Sequence, residues 1–213
     1  FNIHNHHCIR KYENGTLQEN FFYIHDGTNE VNVLDVKRSF AVFHNFISEE
    51  EETNLTNEIE PHVKRLKYEF NHWDDAIHGY RETEKSKWST KCFPILERVK
   101  KISFEDSENL IPHVHILDLS PDGVIKPHID SIRFCGDTIS GLCLLSDAVM
   151  RLVKDQENNQ VVDVLLPRRA LYIMKDDSRY KYTHEILGKE SSYFGSLFIK
   201  RERRVSVIIR NPP

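Results

Sequence analysis

No stretch of this 213-residue chain approaches the roughly 18 consecutive apolar residues that a transmembrane helix needs, so a helical membrane span is excluded and a soluble chain is expected. Basic charge is not in excess. Lys and Arg number 29 against 33 Asp and Glu, a net charge of −4, unlike a strongly basic nucleic-acid binder. Positive charge gathers only locally, at residues 85–101 and 200–204, which keeps RNA open as a partner. Cysteine is scarce as well. Cys8, Cys92, Cys135 and Cys143 show neither paired metal-ligand spacing nor the density of a disulfide scaffold, and a reducing compartment is expected. Internal repeats and low-complexity linkers are missing, and the length fits one domain with a sizeable core. The chain opens on Phe1 rather than Met, so a processed form that has lost a targeting segment is expected.

What is present divides into helix-like and strand-like halves. Ser48-Glu49-Glu50-Glu51 has the form of a capping box with an acidic first turn, and predicts a helix running to about Phe70. Phe93, Leu96, Val99 and Ile102 repeat at helical spacing, with Pro94 confined to the first turn, and predict a packing helix. From Val114 onward the period changes to short β runs: 114–119, 124–130, 139–145, 149–154, 161–166, 171–174 and 205–210. Pro121-Asp122-Gly123 reads as a turn and residues 155–159 as the turn of a hairpin. Helices followed by many short strands predict a mainly β fold with flanking helices (α+β): a double-stranded β-helix, or jelly roll, with N-terminal helices packed on one sheet. The expected division is an N-terminal extension (1–39), a helical support region (40–111) and a jelly-roll core (112–213) of one domain, and a monomer.

Chemistry enters at His128-Ile129-Asp130. In an extended strand, residues i and i+2 project to the same side, so the imidazole and carboxylate can reach one ion while Ile129 faces away. Two histidines and one carboxylate on one face of Fe(II) leave the opposite positions open, which makes such a site catalytic. His184, after the apolar run 170–174, is the candidate third ligand on a different strand. The pattern His-x-Asp also occurs at His72-Trp73-Asp74, but there it lies in a polar stretch without strand-like alternation, where the ordinary non-ligand reading prevails. His4, His6, His7 and Cys8 fit no defined metal spacing in a terminal segment and are set aside.

Arg204-Val205-Ser206-Val207-Ile208-Ile209-Arg210 reads as a buried strand from its β-branched residues. The period of two puts Arg204, Ser206, Ile208 and Arg210 on one face, so two guanidiniums and a hydroxyl point into the same space. Internal ion pairs would satisfy them. So would a bound dicarboxylate, because arginine's planar fork matches a carboxylate with two parallel hydrogen bonds.

In order and spacing, His128-Ile129-Asp130, His184 and Arg204-x-Ser206-x-Ile208-x-Arg210 resemble the Fe(II)- and 2-oxoglutarate-dependent dioxygenases of the AlkB family. The likeness extends through Ile125-Lys126-Pro127, Phe134-Cys135-Gly136, Ser178-Arg179-Tyr180, Glu185-Ile186-Leu187 and residues 72–85, covering most of the chain from about Phe40. The resemblance implies Fe(II) as cofactor, 2-oxoglutarate and O2 as cosubstrates, and oxidation coupled to decarboxylation. It implies that His128, Asp130 and His184 hold the iron, that Arg204 pairs with the distal carboxylate of 2-oxoglutarate, that Arg210 lies near its other end, and that Tyr172 hydrogen-bonds it. Ser206 stands where many nucleic-acid-demethylating relatives have Asn, and Ile208 where they often have Thr. Those relatives grip a flipped base with an N-terminal lid of aromatic and basic residues; no clear counterpart stands between Pro61 and Ile111, where Trp73, Tyr80 and Trp88 offer rings to stack on a base but suit a core or loop role at least as well. Also implied are the mitochondrial matrix, demethylation of N-methylated bases in mitochondrial tRNA or its precursor, and links to programmed necrosis and fatty-acid metabolism. Hydroxylation of a protein side chain and a non-demethylating, partner-binding role in mitochondrial cell death are the alternatives.

Overall fold

The computed structural model describes residues 21–70 and 75–213. The His4, His6, His7 and Cys8 group and His72-Trp73-Asp74 lie outside the described residues. In chain order the elements are β1 (Phe22–Ile24), α1 (Glu30–Ser39), β2 (Phe40–Phe43), α2 (Glu49–Val63), β3 (Ile77–Lys85), α3 (Phe93–Ser103), β4 (Val114–His128), β5 (Thr138–Leu144), β6 (Ala148–Lys154) and β7 (Val161–Leu166). They continue with β8 (Leu171–Lys175), α4 (Asp176–Tyr180), β9 (Tyr182–Ile186), the hairpin β10 (Tyr193–Phe194) and β11 (Leu197–Phe198), and β12 (Arg204–Arg210).

Ten strands form one curled antiparallel sheet in the order β1-β7-β6-β9-β4-β12-β5-β8-β2, with β3 also on β4. The curl makes the two facing layers of a jelly roll. Strand β4 belongs to both: its first half pairs with β12 and its second half with β9, while β3 pairs along both halves. Residues 114–119 and 124–130 were expected as two strands around a turn; they are one strand ending at His128, and Pro121-Asp122-Gly123 is an irregularity within it. Close backbone contact explains why. A Cβ on Gly123 would fall 2.6 Å from the Gly79 carbonyl oxygen, so the two glycines let β3 follow β4 through its bend. Among the described residues, no helix is long and apolar enough to cross a membrane.

Helices α2 and α3 cover the outer face of one layer. In α2, the Ser48 hydroxyl accepts from Glu51 N (3.1 Å) while the Glu51 carboxylate accepts from Ser48 N (2.9 Å), completing the expected capping box. Leu55, Ile59 and Val63 form its buried stripe. The helix stops at Val63, not near Phe70. Beyond it the chain turns, and Glu69 is drawn into backbone hydrogen bonds with Tyr80. In α3 the buried stripe is Ile95, Leu96 and Val99, whereas Phe93 is exposed and Ile102 only half-buried. Against these helices β12 packs Val205, Val207 and Ile209, each contributing about 1.5–3 kcal/mol by burial. Its alternate residues turn inward, as the period of two predicts.

Candidate metal and cosubstrate site

Two neighbouring strands bring the histidines together. His128 closes β4 and is the direct cross-strand partner of His184 on β9, with ring centroids 4.3 Å apart. Asp130 lies two residues beyond the end of β4 rather than within it, yet its carboxylate turns back to 3.3 Å from His128 Nε2. One donor atom from each of His128, Asp130 and His184 lies within 4.8 Å of the others, so the three could hold one metal ion.

The protonation pattern suits a cation. His128 Nδ1 donates to the Lys126 carbonyl at 2.8 Å, which leaves Nε2 with a lone pair facing the Asp130 oxygen. Two lone pairs at that separation need a proton or a cation between them. Burial lowers the His184 pKa to about 4, with His128 adding to the effect, so the ring is neutral and ligand-competent near pH 7. Its Nδ1 is buried without a hydrogen-bond partner among the described residues. Burial opposes ionisation of Asp130, but the hydrogen bond that His128 gives when its ring is protonated, with the field of His184 and Arg210, outweighs it and holds the carboxyl well below its usual range.

A small inner cavity of about 70 Å³ touches all seven residues singled out in the sequence: His128, Asp130, Tyr172, His184, Arg204, Ser206 and Arg210. Arg204 is 2% exposed, and no carboxylate pairs with it among the described residues. Its guanidinium donates to the Ser206 hydroxyl and, at 3.4 Å, to Cys143 Sγ, while Nε has no partner. Arg203, one residue earlier, shows the ordinary alternative: it binds buried Asp118 at 2.7 Å and Glu60 at 2.8 Å. A buried cation lacking a counter-ion is strongly unfavourable, so Arg204 fits an anion entering the cavity.

Tyr172 roofs the same space. Burial pushes its hydroxyl up to about 12, keeping it a neutral donor, and its ring stacks on Phe40 with centroids 6.0 Å apart. The ring lies directly over Gly141 of β5, where a Cβ would come within 2.5 Å of Tyr172 Cε1. Gly141 was not foreseen. Its signal, a glycine inside an otherwise apolar strand, marks close approach of another group.

The inner cavity adjoins a cleft of about 770 Å³ that shares His128, Asp130 and Arg210 with it and is walled by Asp75, Ile77, Glu84, Ile111, His113, His115, Lys126 and Phe134, among others. Its two cations are already engaged: Lys126 binds Asp75 at 2.7 Å, and Arg210 approaches Asp130 at 3.7 Å. Of the aromatic residues considered for a lid, Tyr80 and Trp88 do not line it. Tyr80 is buried in the core, Trp88 packs on the helical side with its indole N–H on the Lys85 carbonyl, and Trp73 lies outside the described residues. Among the described residues, Phe134, 67% exposed on the loop after Asp130, brings a phenyl ring to the cleft.

No protein-family model matches the chain. Among proteins of known name, it is 51% identical over 182 residues to the mouse (Mus musculus) alpha-ketoglutarate-dependent dioxygenase alkB homolog 7, mitochondrial, across 85% of this chain and 82% of that one. The solved structure of OsALKBH1 superposes with a TM-score of 0.58 at 12% identity, covering 81% of this chain and 96% of the other. A Pseudomonas putida prolyl-4-hydroxylase superposes with a TM-score of 0.59 at 15% identity, covering 86% and 98%. At such identities the two structures bear on fold alone, and the fold they share with this chain is the oxygenase jelly roll.

Proposed function

Because this chain belongs to the alkB homolog 7 family of alpha-ketoglutarate-dependent dioxygenases, we propose that it carries out oxidative demethylation of N-methylated bases in mitochondrial tRNA or its precursor. Its cofactor set is Fe(II) with 2-oxoglutarate and O2 as cosubstrates, and its close relatives are named mitochondrial. In this reading His128 through Nε2, the Asp130 carboxylate and His184 hold the iron. Arg204 takes the distal carboxylate of 2-oxoglutarate, Ser206 and Tyr172 hydrogen-bond it, and Arg210 lies near its other end. The observation that carries the reading is Arg204: a buried guanidinium without a carboxylate partner among the described residues, in the cavity that also touches all three candidate ligands.

When bound, iron and 2-oxoglutarate would supply dioxygen activation, with the cosubstrate leaving as succinate and carbon dioxide. The chain's own residues do the rest. The Lys126 carbonyl fixes the His128 tautomer, the low pKa of His184 keeps that imidazole neutral, and the apolar walls Ile139, Met150, Met174 and Ile186 limit water around the anion. A substrate N-methyl group enters from the outer cleft, where Phe134 offers a face to a planar ring. Hydroxylation of that methyl gives an N-hydroxymethyl group, which breaks down to formaldehyde and the free N–H. The proposal further places the protein in the mitochondrial matrix, acting as a monomer and linked to programmed necrosis and fatty-acid metabolism.

One observation favours hydroxylation of a protein side chain as the second reading. Lys126 and Arg210, the Lys and Arg side chains of the cleft among the described residues, are each paired with an acidic group of the chain, with which a phosphate would have to compete. The test is incubation of Fe(II)-loaded protein with 2-oxoglutarate and methylated mitochondrial pre-tRNA. Stoichiometric formaldehyde and loss of methyl marks are expected. Turnover that leaves the RNA methylated while a protein partner gains one oxygen would overturn the demethylase in favour of the hydroxylase.

A further inference from the structure

Arg210 is held from behind by a chain of polar groups crossing three strands. Its Nη1 donates to His115 Nδ1 on β4 at 3.1 Å, and His115 Nε2 lies 2.8 Å from the Glu82 carboxylate on β3. In front, Nη2 of the same guanidinium stands 3.7 Å from Asp130 Oδ2. The directions of these bonds are fixed by chemistry. A guanidinium only donates, so His115 Nδ1 must accept; the ring proton is therefore on Nε2, where a carboxylate receives it. Glu82 thus selects the one tautomer in which His115 can accept from Arg210.

We infer that His115 and Glu82 are positioning residues: together they aim Arg210 at Asp130 and the adjoining cosubstrate space, an inference that rests on the reading of Arg210 as a cosubstrate contact. The backbone makes this possible. His115 is the register partner of both Ile208 and Glu84, so its ring reaches Arg210 two residues along β12 while Glu84 sits opposite it across the cleft wall. Arg210 is the last residue of β12, and its side chain is a quarter exposed. At the end of a strand beside an open cleft, a long side chain has other rotamers available, and a fixed acceptor restricts that freedom. The arrangement parallels the carboxylate–histidine pairs that orient groups around metal sites, with a guanidinium as the group oriented.

The experiment measures the dissociation constant of 2-oxoglutarate without oxygen, with Mn(II) in place of iron, for the native chain, His115→Ala, His115→Gln, Glu82→Ala, Arg210→Ala and the double variant His115→Ala/Arg210→Ala. His115→Ala is expected to weaken binding about tenfold with Mn(II) affinity retained, and His115→Gln, whose side-chain oxygen can accept from Arg210, to restore most of it. Glu82→Ala should fall between the two. Decisively, removing His115 from Arg210→Ala should cost nothing further, because a positioning residue acts only through its client. An equal loss on removing His115 in both backgrounds, or no loss in either, would overturn the inference. If Arg210→Ala itself binds normally, the cosubstrate role of Arg210 is wrong and the inference falls with it; if Arg210→Ala binds weakly and His115→Ala normally, only the inference fails.

Discussion

Arg204→Met tests whether the buried guanidinium serves folding or binding. Methionine of similar length fills the space without a charge, so thermal stability should be equal or higher while 2-oxoglutarate affinity drops roughly ten- to a hundredfold, the value of a charge-assisted pair worth about 1.5–3 kcal/mol. Calorimetric unfolding and titration of the cosubstrate read the two effects separately; a destabilised variant that still bound normally would make Arg204 structural. Gly141→Ala probes the roof of the same cavity. The added methyl collides with the Tyr172 ring, and overpacking of this kind costs about 1–3 kcal/mol. Lower stability together with weaker cosubstrate binding is expected; lower stability with unchanged binding would separate the Tyr172 ring from the cosubstrate.

At the scale of elements, the Ser48 capping box should contribute about 1 kcal/mol, lost in Ser48→Ala and seen as a lower unfolding midpoint. The start of α3 carries a pH signature. Burial, helped by neighbouring Glu58, pushes the Cys92 thiol up to about 11, above its ordinary 9.0. A group whose folded pKa is raised stabilises below the unfolded value, so stability should be full below pH 9 and fall as pH rises from 9 to 11. Cys92→Ala should flatten that limb of the stability curve; an unchanged limb would assign it to other groups. These elements were legible because their signals are local: a cap, a proline, an apolar period. Strand β12 was legible for the same reason, its helix-facing valines and inward arginines alternating without interruption. Helix α1 was not. It buries Asn32 and Ser39 and exposes Val31 and Leu34, because Asn32 is held by Gln160, Lys154 and Tyr182, all more than a hundred residues away. Strand β3 was hidden by its polar outer residues, which are matched to partners on β4 such as His115 and Asp118.

For the whole molecule, the site exists because β4 bends. The strand crosses from one layer of the jelly roll to the other, so that its second half carries His128 to His184 while β12, beside its first half, turns Arg204 into the same cavity. The sequence order of candidate ligands and arginines could be read directly, since His128, His184, Arg204 and Arg210 each lie on a strand whose period sets its face and Asp130 follows just beyond the end of β4. The outer cleft could not, because Asp75, His115, Phe134 and Arg210 meet only once β3, β4, β12 and the loop after Asp130 are assembled. A metal held between the two layers should stabilise the assembled fold: Mn(II) at about a hundred times its dissociation constant adds roughly 2.7 kcal/mol, a gain that chelation reverses and Asp130→Ala abolishes. The most direct test of the central claim is succinate formation from 2-oxoglutarate by the Fe(II)-loaded protein, comparing the native chain with His128→Ala and Arg204→Met under saturating oxygen. Turnover in the native chain, abolished in His128→Ala and recovered in Arg204→Met only at much higher 2-oxoglutarate, is the predicted result; turnover unaffected by either substitution would contradict the account.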